Sequence, residues 1–98
     1  MFKYLAEFLG TFVFLSVILQ ATSKTAAWPS LAPLLIAVGL LAGIVMTATI
    51  SGAHLNPAVS TMMLLNKSLP VADFVPYVGA QLLGAVAAKM CYDMMTKV

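Results

Sequence analysis

Long apolar stretches alternate with short polar breaks along this chain. They cover residues 4–21, 30–50 and 72–95. Each stretch has about the 20 residues that an α-helix needs to cross the hydrocarbon core of a bilayer, which is roughly 30 Å thick. Trp28 and Pro29 follow the first polar break, where tryptophan favours the membrane–water boundary and proline suits the first turn of a helix. The pattern predicts an all-α protein with three transmembrane helices.

A further apolar segment, between the second and third predicted spans, is too short to cross a bilayer. It follows a break that contains Gly52 and His54, and it ends near Leu65. As a helix from Ala58 onward it would be only about 13 Å long. Non-helical backbone at membrane depth is tolerated only where protein or a water-filled cavity satisfies its polar groups. We therefore predict a re-entrant loop and half-helix over residues 51–65.

The composition supports a membrane location for the whole chain. Hydrophobic residues make up 62% and charged residues only 8%, whereas a soluble domain has about 25% charged residues. We therefore expect residues 1–98 to form one multi-pass unit in a lipid bilayer. The net charge of +2 is too small to indicate a nucleic-acid partner. No nucleophile–base pair or metal-ligand cluster stands out, so we expect neither an enzyme nor a metal or other cofactor.

The start of the predicted half-helix has the residues of a polar binding site. Asn56 is a favourable N-cap and Pro57 a favourable first helical residue. Capping uses the asparagine side-chain oxygen and leaves its NH2 group free to donate. The helix N-terminus adds about half a positive charge, and the carbonyls of Gly52, Ala53 and His54 lie next to it in sequence. Such a lining favours a polar neutral molecule and disfavours cations.

Three motifs together resemble one known family. They are SGAHLNPAV at residues 51–59, AEFLGTF at residues 6–12 and YVGAQLLGA at residues 77–85. Their order and spacing resemble those of the first pore loop and the first and third helices of the aquaporin, or major intrinsic protein, family. The resemblance implies half of the aquaporin fold, with one Asn-Pro-Ala motif at residues 56–58. It also implies a passive channel for water or small neutral solutes such as glycerol.

The resemblance assigns roles to individual residues. The implied pore-lining positions are Asn56, Gly52, Ala53, His54, Val59, Ile36 and Ile44. Pro57 and Ala58 would form the N-terminus of the half-helix. Glu7 would hold the loop by accepting hydrogen bonds from its backbone or from His54, and Gln81 would brace it. The second unit of family members normally has an arginine after the motif, and the matching position here is Val59. We therefore expect a constriction that lacks this charge.

The resemblance also implies a partner. Family members join two such units in one chain, whereas this chain has one. Two copies in inverted orientation would rebuild a pore, and four such pairs would match the family's tetramer. Lys3 and Lys67 would lie on one side of the membrane, and Lys24, Lys89 and Lys97 at or near the other. This even distribution gives no clear orientation by the positive-inside rule, as a dual-topology homodimer requires.

Other functions remain open at this point. A proton-coupled small multidrug transporter would use Glu7 as its coupling site, but it predicts four full spans and does not explain the half-helix. A holin-like permeabilising protein would produce large nonselective leaks that do not depend on Asn56. The chain could also be a half that is inert without a different partner.

Overall fold

The computed structural model describes residues 2–96, and these residues form helices joined by short loops. Its helices are α1 (Phe2–Ala21), α2 (Ala32–Ser51), α3 (Pro57–Leu65) and α4 (Val71–Thr96), with a 3₁₀ turn at Pro29–Leu31 before α2. Three segments are long and apolar enough to cross a membrane: α1, the 3₁₀ turn together with α2, and α4. The predicted fold class is therefore confirmed, and the protein is an integral multi-pass membrane protein. Lys97, which entered the charge comparison, lies outside the described residues.

Prolines and capping residues set where the helices begin and end. The 3₁₀ turn occupies the start of the second predicted span, so regular α-helix begins at Ala32 and has Pro33 in its first turn. A proline is tolerated there because the first N–H groups of a helix have no partner within the helix. α4 begins directly after Pro70 and contains Pro76 in its interior. Since proline has no N–H, the carbonyl of Ala72 lacks its usual helical donor.

Helix α1 is the centre of the fold, with α2 packed on one side and α4 on another. The seam between α1 and α2 is built from small residues. A Cβ added to Gly10 would lie 2.9 Å from Thr47 Cγ2, and one added to Gly39 would lie 2.7 Å from Val17 Cβ. The two pairings run in opposite directions along the chain, so α1 and α2 are antiparallel. Close approach of this kind is how helices associate in lipid, where burial of apolar surface supplies no driving force.

The seam between α1 and α4 combines close packing with polar contacts. A Cβ on Gly84 would lie 2.8 Å from the backbone oxygen of Phe8. Nearer the start of both helices, Asp73 accepts from Lys3 Nζ at 2.7 Å and from the Tyr4 hydroxyl at 2.6 Å. These pairings run in the same direction, so α1 and α4 are parallel.

The directions of the helices determine where the segment that contains α3 joins the bundle. The start of α1, the end of α2 and the start of α4 all lie at one end of the bundle, called here the loop side. The opposite end, with Ala21 and Thr96, is called the far side. Residues 52–70 therefore leave and return on the loop side, and they form a re-entrant segment. Within it, α3 packs mainly against α4.

Candidate pore loop

The loop between α2 and α3 has an unusual backbone. Gly52 ends α2 in the left-handed conformation, with φ of 86°, and its N–H donates to the carbonyl of Ala48. Ala53 and Leu55 also have positive φ, at 53° and 55°. For residues with a side chain this conformation costs about 1–2 kcal/mol each. Such strain persists only where the surrounding structure compensates for it, and Glu7 provides that compensation.

Glu7 is fully buried and accepts four hydrogen bonds. Its Oε1 accepts from the backbone N–H of Leu55 and from Gln81 Nε2, both at 2.8 Å. Its Oε2 accepts from the backbone N–H of His54 at 3.0 Å and from the Ser51 hydroxyl at 2.6 Å. The left-handed residues turn two successive N–H groups toward one carboxyl group, as in the backbone nests that bind anions. Glu7 thus joins α1 to the end of α2, the loop and α4.

Two further hydrogen bonds stabilise the end of α2 at Ser51. The Tyr77 hydroxyl donates to the carbonyl oxygen of Ser51 at 2.7 Å. The Ser51 hydroxyl accepts from the N–H of Ala53 at 3.3 Å. Carbonyl groups at a helix C-terminus lack partners within the helix, so Tyr77 satisfies one that is buried in the bundle.

A second chain of contacts leads from α4 to the loop through α3. Gln81 is buried and donates from Nε2 to the Ser60 hydroxyl at 2.9 Å, in addition to its bond with Glu7. The Ser60 oxygen lies 2.9 Å from His54 Nδ1. The His54 ring packs against the ring of Tyr77, with centroids 5.0 Å apart. The His54 side chain is therefore fixed on two sides.

The N-terminus of α3 has the geometry of a capped helix. Asn56 has extended backbone, and its Oδ1 accepts from the N–H of Ala58 at 2.7 Å, with Pro57 as the first helical residue. The side chain of Asn56 is exposed. Its amide nitrogen has no hydrogen-bond partner among residues 2–96, so it can donate to a molecule outside the chain.

The predicted site residues divide into two groups in the structure. The loop residues, Glu7 and Gln81 lie together in the network just described. Ile36 and Ile44 lie apart from it, as half-buried apolar residues two turns apart on α2, and Val59 is half-buried in the first turn of α3. Gly52 is exposed, while Ala53 is partly exposed. The pore-lining role of these positions stays a prediction.

Sequence reasoning missed several residues of the network. Ser51, Ser60 and Tyr77 were not singled out as site residues, and neither was the cluster of Asp73 with Lys3. One signal was available for Asp73, because the chain has only three acidic residues. A carboxyl group at the start of one membrane helix and an amine at the start of another were candidates for a pair.

Comparisons with known proteins fit this geometry. The sequence profile described as Major intrinsic protein matches residues 1–98.

The glycerol uptake facilitator protein-like 6 of Lactiplantibacillus plantarum is 42% identical over 94 residues, which are 88% of this chain and 40% of that protein. Aquaporin Z of Rhodopseudomonas palustris is 39% identical over 92 residues, or 88% of this chain and 38% of that protein. An aquaporin-2 sequence of Dasypus novemcinctus is 43% identical over 86 residues, or 85% of this chain and 79% of that sequence. The chain thus spans about two fifths of the first two relatives. No solved structure matches it.

Proposed function

We propose that this chain, which belongs to the major intrinsic protein family, forms a passive membrane channel for water and small neutral solutes such as glycerol. The observation that carries the proposal is the capped half-helix at the loop, where the amide nitrogen of Asn56 is exposed and has no partner within residues 2–96. A free N–H donor at a helix N-terminus suits an oxygen atom of a neutral molecule. The positive end of the helix dipole opposes cations.

One copy of the chain leaves the proposed pore open on one side, so further protein must enclose it. Helix α3 packs mainly against α4, and its residues Ala58, Thr61, Met62 and Leu65 are exposed. Helix α2 buries one narrow stripe, every fourth residue from Gly39 to Ser51. We infer that a second copy in inverted orientation covers part of these surfaces, and that four such pairs assemble together.

The constriction of the proposed channel would be apolar and uncharged. We assign to this constriction four of the implied pore-lining residues: Val59, Ile36, Ile44 and Ala53. Because the position of Val59 carries no arginine, cations would be excluded by the half-helix dipoles and the Asn56 side chains of the two copies. An apolar, uncharged constriction would admit small polyols as well as water.

A proton-coupled transporter fits the geometry less well. The described residues contain three candidate spans, whereas that function predicts four. Glu7 is fully buried, and both of its oxygens are occupied by donors from the loop and helices. Releasing it for a transport cycle would leave the backbone N–H groups of His54 and Leu55 without an acceptor.

Osmotic flux through the purified chain tests the channel. Proteoliposomes are shrunk in sucrose and then in glycerol gradients, and light scattering is followed by stopped flow. We expect flux above that of empty liposomes, and loss of most of it in Asn56→Ala. Asn66→Ala is the matched control, because Asn66 lies at the other end of α3 and its side chain bonds only Ser68 Oγ within residues 2–96. No flux from the wild-type chain would overturn the self-sufficient channel. A large leak that is equal in Asn56→Ala would instead indicate a holin-like protein.

Orientation in the membrane tests the inverted pair. The chain has one cysteine, so a Cys91→Ser background accepts a single reporter cysteine at the exposed Lys24. An impermeant thiol reagent is applied to intact cells and then to permeabilised cells. Dual topology predicts that about half of the reporter reacts before permeabilisation. Labelling that is complete or absent in intact cells would rule out the inverted homodimer and would favour a different partner.

A further inference from the structure

Ser60 is a fully buried hydroxyl in an apolar half-helix. Its oxygen has two side-chain neighbours, Gln81 Nε2 and His54 Nδ1, each at 2.9 Å. A serine hydroxyl has one hydrogen to donate, and a neutral histidine nitrogen either donates or accepts. The direction of the Ser60–His54 bond therefore depends on what Gln81 does.

The carboxyl group of Glu7 fixes the direction at Gln81. Both Glu7 oxygens accept hydrogen bonds, and Gln81 Nε2 lies 2.8 Å from Oε1. If the Gln81 amide were turned over, its oxygen would lie 2.8 Å from Glu7 Oε1, which already accepts from the N–H of Leu55. Two acceptor oxygens would then face each other without a hydrogen between them. Gln81 thus keeps its nitrogen toward Glu7, although its own Oε1 is buried without a partner in the described residues. Its second N–H then donates to Ser60.

Since Ser60 accepts from Gln81, its own hydrogen is left for His54. Within residues 2–96 the nearby acceptor for this hydrogen is His54 Nδ1. If Nδ1 carried the proton, the buried Ser60 hydrogen would have no acceptor there, and an unsatisfied buried donor is unfavourable. The arrangement that satisfies every member of the chain places the ring proton on His54 Nε2.

We propose that Ser60 is a positioning residue that holds His54 in its Nε2–H form and so makes the ring a fixed hydrogen-bond donor at the loop. A Cβ built on Gly52 would lie 3.7 Å from Nε2, so this edge of the ring lies beside an exposed glycine. The Tyr77 ring limits rotation on another side. The proposal rests on the proposed channel function in one respect: solute oxygens would meet two donors, His54 Nε2 and Asn56 Nδ2. This favours neutral solutes that present oxygen acceptors.

The chain has a single histidine, so its ring can be observed without ambiguity. The protein is labelled with ¹⁵N and ¹³C in histidine, reconstituted in lipid at neutral pH and studied by solid-state NMR. Nε2 is bonded to Cδ2 and Nδ1 to Cγ, which identifies the two nitrogens. We expect the wild type to show a proton on the nitrogen bonded to Cδ2 only. A proton on Nδ1, alone or together with Nε2, would overturn the proposal. The wild-type spectrum therefore decides the direction of the bond even if a variant fails to fold.

Variants of α3 test the role of Ser60. In Ser60→Ala we expect a second ring form to appear, because Nδ1 has lost its donor. Thr61→Ala is the matched control, since the neighbouring hydroxyl is exposed and donates to its own helix at Pro57; it should keep the wild-type ring signals. Unchanged ring signals in Ser60→Ala would overturn the role of Ser60.

Flux separates this inference from the channel function. The ring signals do not depend on permeation. A wild-type chain with the expected ring form but no flux would therefore contradict the channel function and the donor role of His54. The assignment of the ring proton to Nε2 would still hold. If the wild type conducts, Ser60→Ala should conduct less glycerol than Thr22→Ala, a control at an exposed hydroxyl that donates locally to the carbonyl oxygen of Ile18. Equal glycerol flux in a Ser60→Ala protein whose ring form has changed would overturn the role of His54 as a donor to solute.

Discussion

The two ends of the helix bundle are held together in different ways. At the loop side, buried and half-buried side chains bond between helices, as in the bonds of Glu7 to Ser51 and Gln81 and of Asp73 to Lys3. At the far side, the described side-chain hydrogen bonds stay within their own helix or turn, as in Lys89 to Asp93. Hydrogen bonds between helices thus stabilise the loop side, whereas the far side relies on packing between helices.

Grooves lie along the far half of the bundle. A groove of about 480 Å³ is lined by Val17 of α1, Leu35 of α2 and the connection between the two helices. A smaller groove of about 220 Å³ lies between α1 and α4, beside Ala88 and Tyr92. The loop side carries strained backbone and buried polar groups, which require internal partners. Within residues 2–96, the far side has no residue with positive φ, and apolar packing is sufficient there.

The largest expected effect comes from replacing the carboxyl group that holds the loop. Glu7→Gln keeps the shape of the side chain but exchanges one acceptor oxygen for a donor NH2 group, which then faces N–H groups. Each buried donor left without an acceptor costs about 1–3 kcal/mol, so we expect a loss of about 3 kcal/mol in stability and of most flux. Unfolding in mixed detergent and stopped-flow flux measure both.

A polar residue elsewhere on α1 is the control for this change. Gln20 is exposed near the far end of α1, and Gln20→Ala should leave stability and flux close to those of the wild type. If Glu7→Gln behaved like Gln20→Ala, the carboxyl group would not be what holds the loop.

The next effect tests packing on α4. A Cβ at Gly84 would meet the backbone oxygen of Phe8 at 2.8 Å, whereas one at Gly79 would meet nothing within 4 Å. We expect Gly84→Ala to destabilise the protein by about 1–3 kcal/mol, because the backbone of α1 must shift. Gly79→Ala should be neutral or stabilising by up to about 1 kcal/mol, since alanine favours helix. Equal effects at both positions would show that the seam is more tolerant than its distances indicate.

Much of the fold could be predicted from the sequence because its signals are local. Span length appears as an apolar run, and the start of α3 appears as the adjacent pair Asn56-Pro57. The backbone of the loop could not be predicted in this way. Ala53 and Leu55 adopt positive φ, which residues with a side chain disfavour, and they do so because a carboxyl group on α1 accepts the N–H groups that this backbone presents.

The partners of the site were harder to predict for the same reason. Tyr77 bonds Ser51 across 26 residues, and Ser60 bonds Gln81 across 21. A single sequence shows only that such residues are polar in apolar surroundings, and not which of them meet. The resemblance to a known family pointed to Glu7 and Gln81, whereas the hydroxyl groups that complete their bonds required coordinates.

The smallest expected effect compares the two lysine–aspartate pairs found among residues 2–96. Asp73 is 6% exposed and bonds both Lys3 and Tyr4 from another helix. Asp93 is exposed and bonds Lys89 within its own helix, at a spacing of four residues. We expect Asp73→Asn to lower thermal stability modestly, because an amide leaves one of the two donors poorly paired and loosens the start of α4. Asp93→Asn should change it little, since exposed pairs within a helix contribute little. Thermal unfolding of both variants in the same detergent makes the comparison, and a larger loss in Asp93→Asn would reverse the assignment of the loop side as the end stabilised by hydrogen bonds between helices.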